Sequence, residues 1–242
     1  MKEIFPSAAV FDEPKKIGSK EEINSCEVTF VCVPTPMKED GSCDTGAVDY
    51  TLSWIKSSVI VLRSTVPVGY TAAKAEETGL KIVFQPEYYG ETTAHPFANL
   101  SDRLWITLGG DSESAETALR AYRTVYNSEI YVNIVDSTTA ELAKYMENAY
   151  LATKVTFCNE FYDIARSFGV DYNKLRETWL MDPRIGRSHT FVYPENRGYG
   201  GSCLPKDIAA IIHSAEKMSA DCTLLKAVTE KNGRLRAGNQ PS

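Results

Sequence analysis

Two kinds of apolar patterning divide the chain, and the change between them falls at Asp136. Before it, short apolar-rich runs at residues 28–33, 59–63, 82–84, 104–108 and 130–134 alternate with amphipathic stretches at 48–56 and 112–126. The runs at 28–33 and 59–63 predict strands buried on both faces, and the alternation predicts a parallel sheet with crossover helices. A shorter run at 8–12 predicts a further strand ending in Asp12, residues 1–5 read as the last turns of a helix stopped by Pro6, and 21–25 close a helical turn. After Asp136 helix follows helix: Thr138 with Glu141 has the spacing of a capping box, and Gly169 stops that run about thirty residues later. A second helix is predicted at 172–180 and a final one at 206–236. The expected fold class is α/β, a parallel sheet over residues 1–135 followed by an all-helical region over 136–242.

Composition changes this picture little but excludes several classes. Among 242 residues, 43% apolar and 24% charged side chains are ordinary for a globular protein, and a formal net charge of −6 argues against a dedicated nucleic-acid binder. The six cysteines form no CxxC pair and the three histidines stand alone, so no metal is expected and a reduced cytoplasm fits best. No apolar run approaches the ~20 residues a membrane helix needs.

The chemistry concentrates in RGYGGSCLPKD, residues 197–207. Its glycines permit a tight path and close approach of a ligand, and Pro205 suits the first turn of a helix. A thiol delivered to a helix N-terminus meets free amide donors and the positive end of the dipole, which favours thiolate, so Cys203 is a candidate nucleophile. The alternative, a small buried hydrophobe, leaves the three glycines, Lys206 and Asp207 unexplained. In the long helix Lys144, Asn148, Leu151, Val155 and Tyr162 fall on one line, where a lysine either snorkels to solvent or serves a site.

GGSCLPKD resembles the active-site loop of the nucleotide-sugar 6-dehydrogenases, the UDP-glucose and GDP-mannose dehydrogenase family. VPTP (33–36) and STVPVG (64–69) resemble its cofactor-side loops, PEYYGE (86–91) its paired-glutamate loop, and the segment 141–148 its helix with a functional Lys and Asn. The resemblance implies NAD as cofactor, a nucleotide-sugar substrate, a Rossmann-like sheet and a helical region that dimerises. Its catalytic residues carry over as Cys203 for the nucleophile, Lys144 and Asn148 for oxyanion stabilisation, Asp207 with Thr65 for water, and Glu91, with Glu87, for proton transfer. The cofactor would meet Asp12, Val33, Pro34, Thr35, Ser64, Thr65, Glu91 and Lys206. The sugar nucleotide would meet Glu87, Tyr88, Lys144, Asn148, Tyr199, Gly200 and Cys203, with Arg184 of DPRIG resembling an arginine that family dimers lend to the neighbouring subunit.

Two family features are absent from the sequence. Asp12 fits the acid that ends the second strand of a Rossmann unit, yet the first strand and GxGxxG turn that should precede it are missing, as is a second α/β domain after the last helix. In the usual strand order the first strand is central, so the expectation is two halves of a sheet with unpaired edges. The reading is oxidation of UDP-glucose to the uronate, with GDP-mannose as alternative substrate. Two other readings stay open: an inactive relative acting as a dimerising interaction subunit, and an NAD-dependent hydroxyacid dehydrogenase, for which a nucleophilic cysteine has no use.

Overall fold

The computed structural model describes residues 1–2, 4–88, 104–126 and 129–238. The chain forms two compact units, Met1–Lys144 and Tyr145–Ser242, so the division falls inside a helix. In the first unit, helix α1 (Lys20–Asn24) precedes strand β1 (Val28–Val31), α2 (Gly46–Leu52), β2 (Val59–Leu62), α3 (Tyr70–Thr78), β3 (Ile82–Phe84), β4 (Trp105–Gly109), α4 (Ser112–Tyr122) and β5 (Tyr131–Val135). Helix α5 (Ser137–Ser167) begins there and runs on into the second unit, which continues with α6 (Tyr172–Trp179), α7 (Leu204–Lys217) and α8 (Thr223–Ala237).

The five strands make one sheet in the order β1-β2-β3-β4-β5. Three of its pairings are parallel, while β3 and β4 meet antiparallel through the single pair Phe84↔Gly109. That approach is close: a Cβ on Gly110 would lie 3.2 Å from the carbonyl oxygen of Ile82. β2 is buried along its whole length and alternates its side chains between two cores. Ile60 and Leu62 join Val48, Leu52 and Ile55 on one face, and Val59 and Val61 join Ala115, Ala118 and Leu119 of α4 on the other. Burial on both faces is why this strand carries no polar alternation.

Several expectations are corrected. The sheet is not split into two halves; among the described residues it is one continuous layer with β1 at an edge. Residues 8–12 form no strand: Asp12 makes an isolated antiparallel bridge with Ile17, and its carboxylate accepts from the Lys15 amide at 3.0 Å and pairs with the Lys15 ammonium at 3.0 Å. Those contacts hold the Asp12 carboxyl below the usual aspartate range. Lys2 and Ile4 lie in turns rather than helix, and Phe5 stacks on Phe30 with ring centroids 5.1 Å apart.

The capping box is replaced by two separate devices. Asp136 caps α5, accepting from the Thr139 amide at 2.8 Å and the Thr139 hydroxyl at 2.6 Å. Glu141, fully buried, instead reaches across the fold to the start of α3, accepting from the amides of Gly69 at 2.5 Å and Thr71 at 2.9 Å. The final helix is two helices, because Ser219 adopts φ 58° and the Ala220 amide closes back on the Ala215 carbonyl at 2.9 Å, an αL stop of the Schellman kind.

Candidate active site

In the first unit, parallel pairing of β1 with β2 sets their carboxyl ends side by side, where ligands of open α/β sheets bind. The two loops that leave those ends are laced together. The Ser64 hydroxyl donates to the Val33 carbonyl at 2.6 Å, and the buried Cys43 thiol approaches the carbonyls of Thr65 at 3.3 Å and Thr35 at 3.8 Å. Thr35 and Ser64 are buried, Val33 and Thr65 half-buried and Pro34 exposed. Cys43 had no place in the sequence reading; its type gives no sign of a role in fastening two backbone turns.

A second group lies beyond β2 and β3. Arg63, with a side chain 4% exposed, forms an ion pair with Glu87, whose other oxygen accepts the Tyr88 amide at 2.8 Å. Behind the loop, Gln85 is buried and accepts from the Tyr122 hydroxyl. The ammonium of Lys144, a residue only 9% exposed, lies 5.0 Å from the Tyr88 ring centroid. Lys144 therefore does not snorkel to solvent. Arg63 could have been suspected, being a cation at the end of an apolar run, where burial demands a partner. Glu91 lies outside the described residues.

In the second unit the glycine-rich loop is fixed at several points. Arg197 donates from Nε to Asn159 Oδ1 at 2.6 Å and from Nη2 to the Asn159 carbonyl at 2.8 Å, and pairs with Asp163 at 2.9 Å. Gly198 has φ 79°, where a side chain would be strained and a Cβ would lie 2.5 Å from Asn232 Oδ1. Asn232 clamps the next residue, accepting from the Tyr199 amide at 2.7 Å and donating to its carbonyl at 3.1 Å. Tyr199 is itself core, packed with Ala152, Ile208 and Val228, and burial raises its phenol pKa. Gly200 lies under the Arg236 guanidinium, 3.4 Å from where a Cβ would stand.

The loop ends with Cys203 exposed at the N-cap position of α7, its carbonyl accepting the Asp207 amide at 2.9 Å. Behind it Asp207, 1% exposed, accepts from Asn148 Nδ2 at 2.5 Å and from Lys206 Nζ at 2.6 Å. Exposure is inconsistent with Cys203 as a small core hydrophobe. Thus Lys206, Asp207 and Asn148 are joined by hydrogen bonds one helical turn beyond Cys203, while α5 carries Lys144 one turn before Asn148. Arg184 stands apart, its side chain 85% exposed and paired with Asp182 at 2.5 Å.

The two laced loops sit at strand carboxyl ends and carry small and hydroxyl side chains, which suits the approach of a dinucleotide. Asp12, read from the sequence as the ribose holder, accepts from Lys15 in a turn. Among the described residues no group of three or more His, Cys, Asp or Glu could hold a metal ion, and no helix is long and apolar enough to cross a membrane.

Comparison with known proteins gives the same assignment from another side. Residues 15–131 match the NAD binding domain of the UDP-glucose/GDP-mannose dehydrogenase family, and residues 138–234 match that family's central domain. UDP-glucose 6-dehydrogenase of Pseudomonas aeruginosa is 35% identical over 231 residues, covering 88% of this chain and 50% of the relative. The Rickettsia typhi enzyme of the same name is 34% identical over 229 residues, covering 90% and 51%. A solved UDP-glucose dehydrogenase from Pyrobaculum islandicum superposes with a TM-score of 0.77 at 30% identity, covering 89% of this chain and 52% of that one. The chain spans about half the length of the relatives it matches. With both domain matches in order along the chain, it belongs to the UDP-glucose/GDP-mannose dehydrogenase family.

Proposed function

We propose that the chain carries out NAD-dependent oxidation of a nucleotide sugar's C6 hydroxyl to the carboxylate, with UDP-glucose as substrate. The observation that carries this reading is Cys203, exposed at the start of α7 with the Asn148–Asp207–Lys206 hydrogen-bonded group immediately behind it. Bound NAD supplies hydride acceptance, twice for each sugar taken from alcohol to acid. The role of Cys203 is to add as thiolate to the C6 aldehyde, forming a C–S bond and an alkoxide; loss of hydride from that thiohemiacetal leaves a thioester. Attack by water breaks the C–S bond and returns the thiolate with release of the carboxylate.

Charge passes through oxygen at each stage, and preorganised donors aimed at a developing oxyanion contribute several kcal/mol. Lys144 and Asn148 take that role. Asp207, buried and already accepting two hydrogen bonds, orients Asn148 and, with Thr65, the attacking water. The laced loops at Val33–Thr35 and Ser64–Thr65 are read as the cofactor-side surface, with Glu87 and Glu91 serving the proton transfers.

The reading extends to a cytoplasmic homodimer. Along α5, Met146, Tyr150, Phe157, Phe161 and Ile164, with Phe168 just past its end, are exposed, between 39% and 79%, at the spacing of one helix face. An apolar stripe of that length marks an interaction surface, and Arg184 on its exposed turn would serve a neighbouring subunit. The deciding experiment follows NADH formation with NAD⁺ and UDP-glucose beside Cys203→Ala, with GDP-mannose as competing substrate. Two NADH per sugar, abolished in the variant, is the expected result. No NADH from folded protein would overturn it in favour of an interaction subunit.

A further inference from the structure

Lys144 is nine-tenths buried, and its ammonium faces an aromatic ring rather than open water. An ammonium at that depth needs compensation, and a ring face within about 6 Å of a cation supplies it through the ring quadrupole. The ring in question is held unusually firmly for a loop residue. The Tyr88 amide donates to Glu87, the same carboxylate pairs with the buried Arg63 at the end of β2, and the ring itself lies against Trp105, centroids 6.2 Å apart. Lys144 is anchored as firmly, standing three residues after Glu141, whose carboxylate ties α5 to the start of α3. Contacts outside the pair thus hold the backbone at both positions, and Trp105 packs against the ring.

We infer that Tyr88 is a positioning residue for Lys144: its ring face holds the ammonium in one orientation, and the Arg63–Glu87 ion pair fixes the ring. The aromatic face rather than the phenol hydroxyl is what matters, so phenylalanine at position 88 would serve and an aliphatic residue would not. The catalytic consequence rests on the proposed function, in which Lys144 meets an oxyanion that exists only beyond the ground state. Loss of its orientation then lowers kcat.

The test has two independent arms on the full chain. With lysine labelled with ¹³C at Cε, the Lys144 methylene, assigned by its loss in Lys144→Arg, is expected upfield of the other lysines from the ring current. It should stay there in Tyr88→Phe, return to the common cluster in Tyr88→Leu, and move toward that cluster in Glu87→Gln. A Lys144 resonance that Tyr88→Leu leaves in place would overturn the contact, and one unmoved by Glu87→Gln would overturn the role of the ion pair. In the second arm Tyr88→Leu should lower kcat roughly two- to thirty-fold, the range a cation–π contact of this kind supports, with Tyr88→Phe restoring it. Wild-type kcat in Tyr88→Leu, with the resonance moved, would refute the positioning role. Absence of any NADH from wild type would count against the reaction alone, since the resonance still decides the contact.

Discussion

Replacing Glu141 with alanine should unfold the first unit at markedly lower denaturant or temperature, although Glu141 is assigned no chemistry. Its carboxylate satisfies the amides of Gly69 and Thr71, and Thr71 is 1% exposed, so water cannot readily take its place. A buried donor left without a partner costs about 1–3 kcal/mol, as for Thr71, and the half-buried Gly69 amide adds a smaller share. Against that, alanine removes a carboxylate whose burial is the largest influence on it and raises its pKa above the ordinary glutamate value of 4.5. The net loss at neutral pH is then about 2–3 kcal/mol, a fall in melting temperature of roughly 5–10 °C for a chain of this size. Tryptophan fluorescence reads it locally in a Trp179→Phe background, because Trp54 and Trp105 both belong to the first unit.

The pH dependence has a definite sign. A carboxyl with a raised folded pKa binds more protons folded than unfolded, so its contribution is fully present below 4.5 and declines as pH rises through the folded value. The stability gap between wild type and Glu141→Ala should therefore narrow from acid toward neutral pH. Glu141→Gln should recover only part of the loss, because its amide NH₂ would face one of two N–H donors. A loss below about 1 kcal/mol for the alanine variant, or a gap that widens with pH, would refute the reasoning.

Three further outcomes are expected. Gly198→Ala forces a Cβ into the left-handed region at φ 79° and onto Asn232 Oδ1, so urea unfolding followed at Trp179 should show a loss of about 1–3 kcal/mol. Asn159→Ala removes acceptors for Arg197 Nε and the Gly198 amide from a residue 2% exposed, and should cost about 2 kcal/mol by the same measurement. Phe161→Glu, placed in the exposed stripe of α5, should leave the melting temperature near wild type at low protein concentration while converting a dimer to monomer in light scattering; an unchanged mass would exclude that stripe as the interface.

Elements whose signal is local were legible in the sequence, and those fixed by distant partners were not. β1 and β2 follow from short runs rich in β-branched residues, and α5 from its length and the glycine at φ 68° that ends it. Helix α3 escapes notice because only Thr71 is buried along it, so no apolar stripe marks its inner face. Thr138 and Glu141 have the letters and spacing of a cap, but a buried carboxylate goes to whichever amides lack partners, and those of Gly69 and Thr71 are some seventy positions away. The break at Ser219 carries no glycine or proline to announce it. For the site, Cys203, Asp207, Lys206 and Asn148 could be named from residue type in a short motif and one helical line. Asn159, Asn232 and Cys43 could not, because they act on backbone and side chains that only the folded chain brings near them, and Arg63 showed only as a cation closing an apolar run.

Helix α5 belongs to both units, with the division after Lys144 and no loop between them. A loop can gain or lose residues and leave its flanks intact, whereas each residue added to a helix turns everything beyond it by about 100°. A single insertion between Lys144 and Asn148 would move one of them off the shared face, with no slack to absorb it. What must be kept over Lys144–Asn148 is rotational phase, so these four steps of helix act as a ruler between the two side chains.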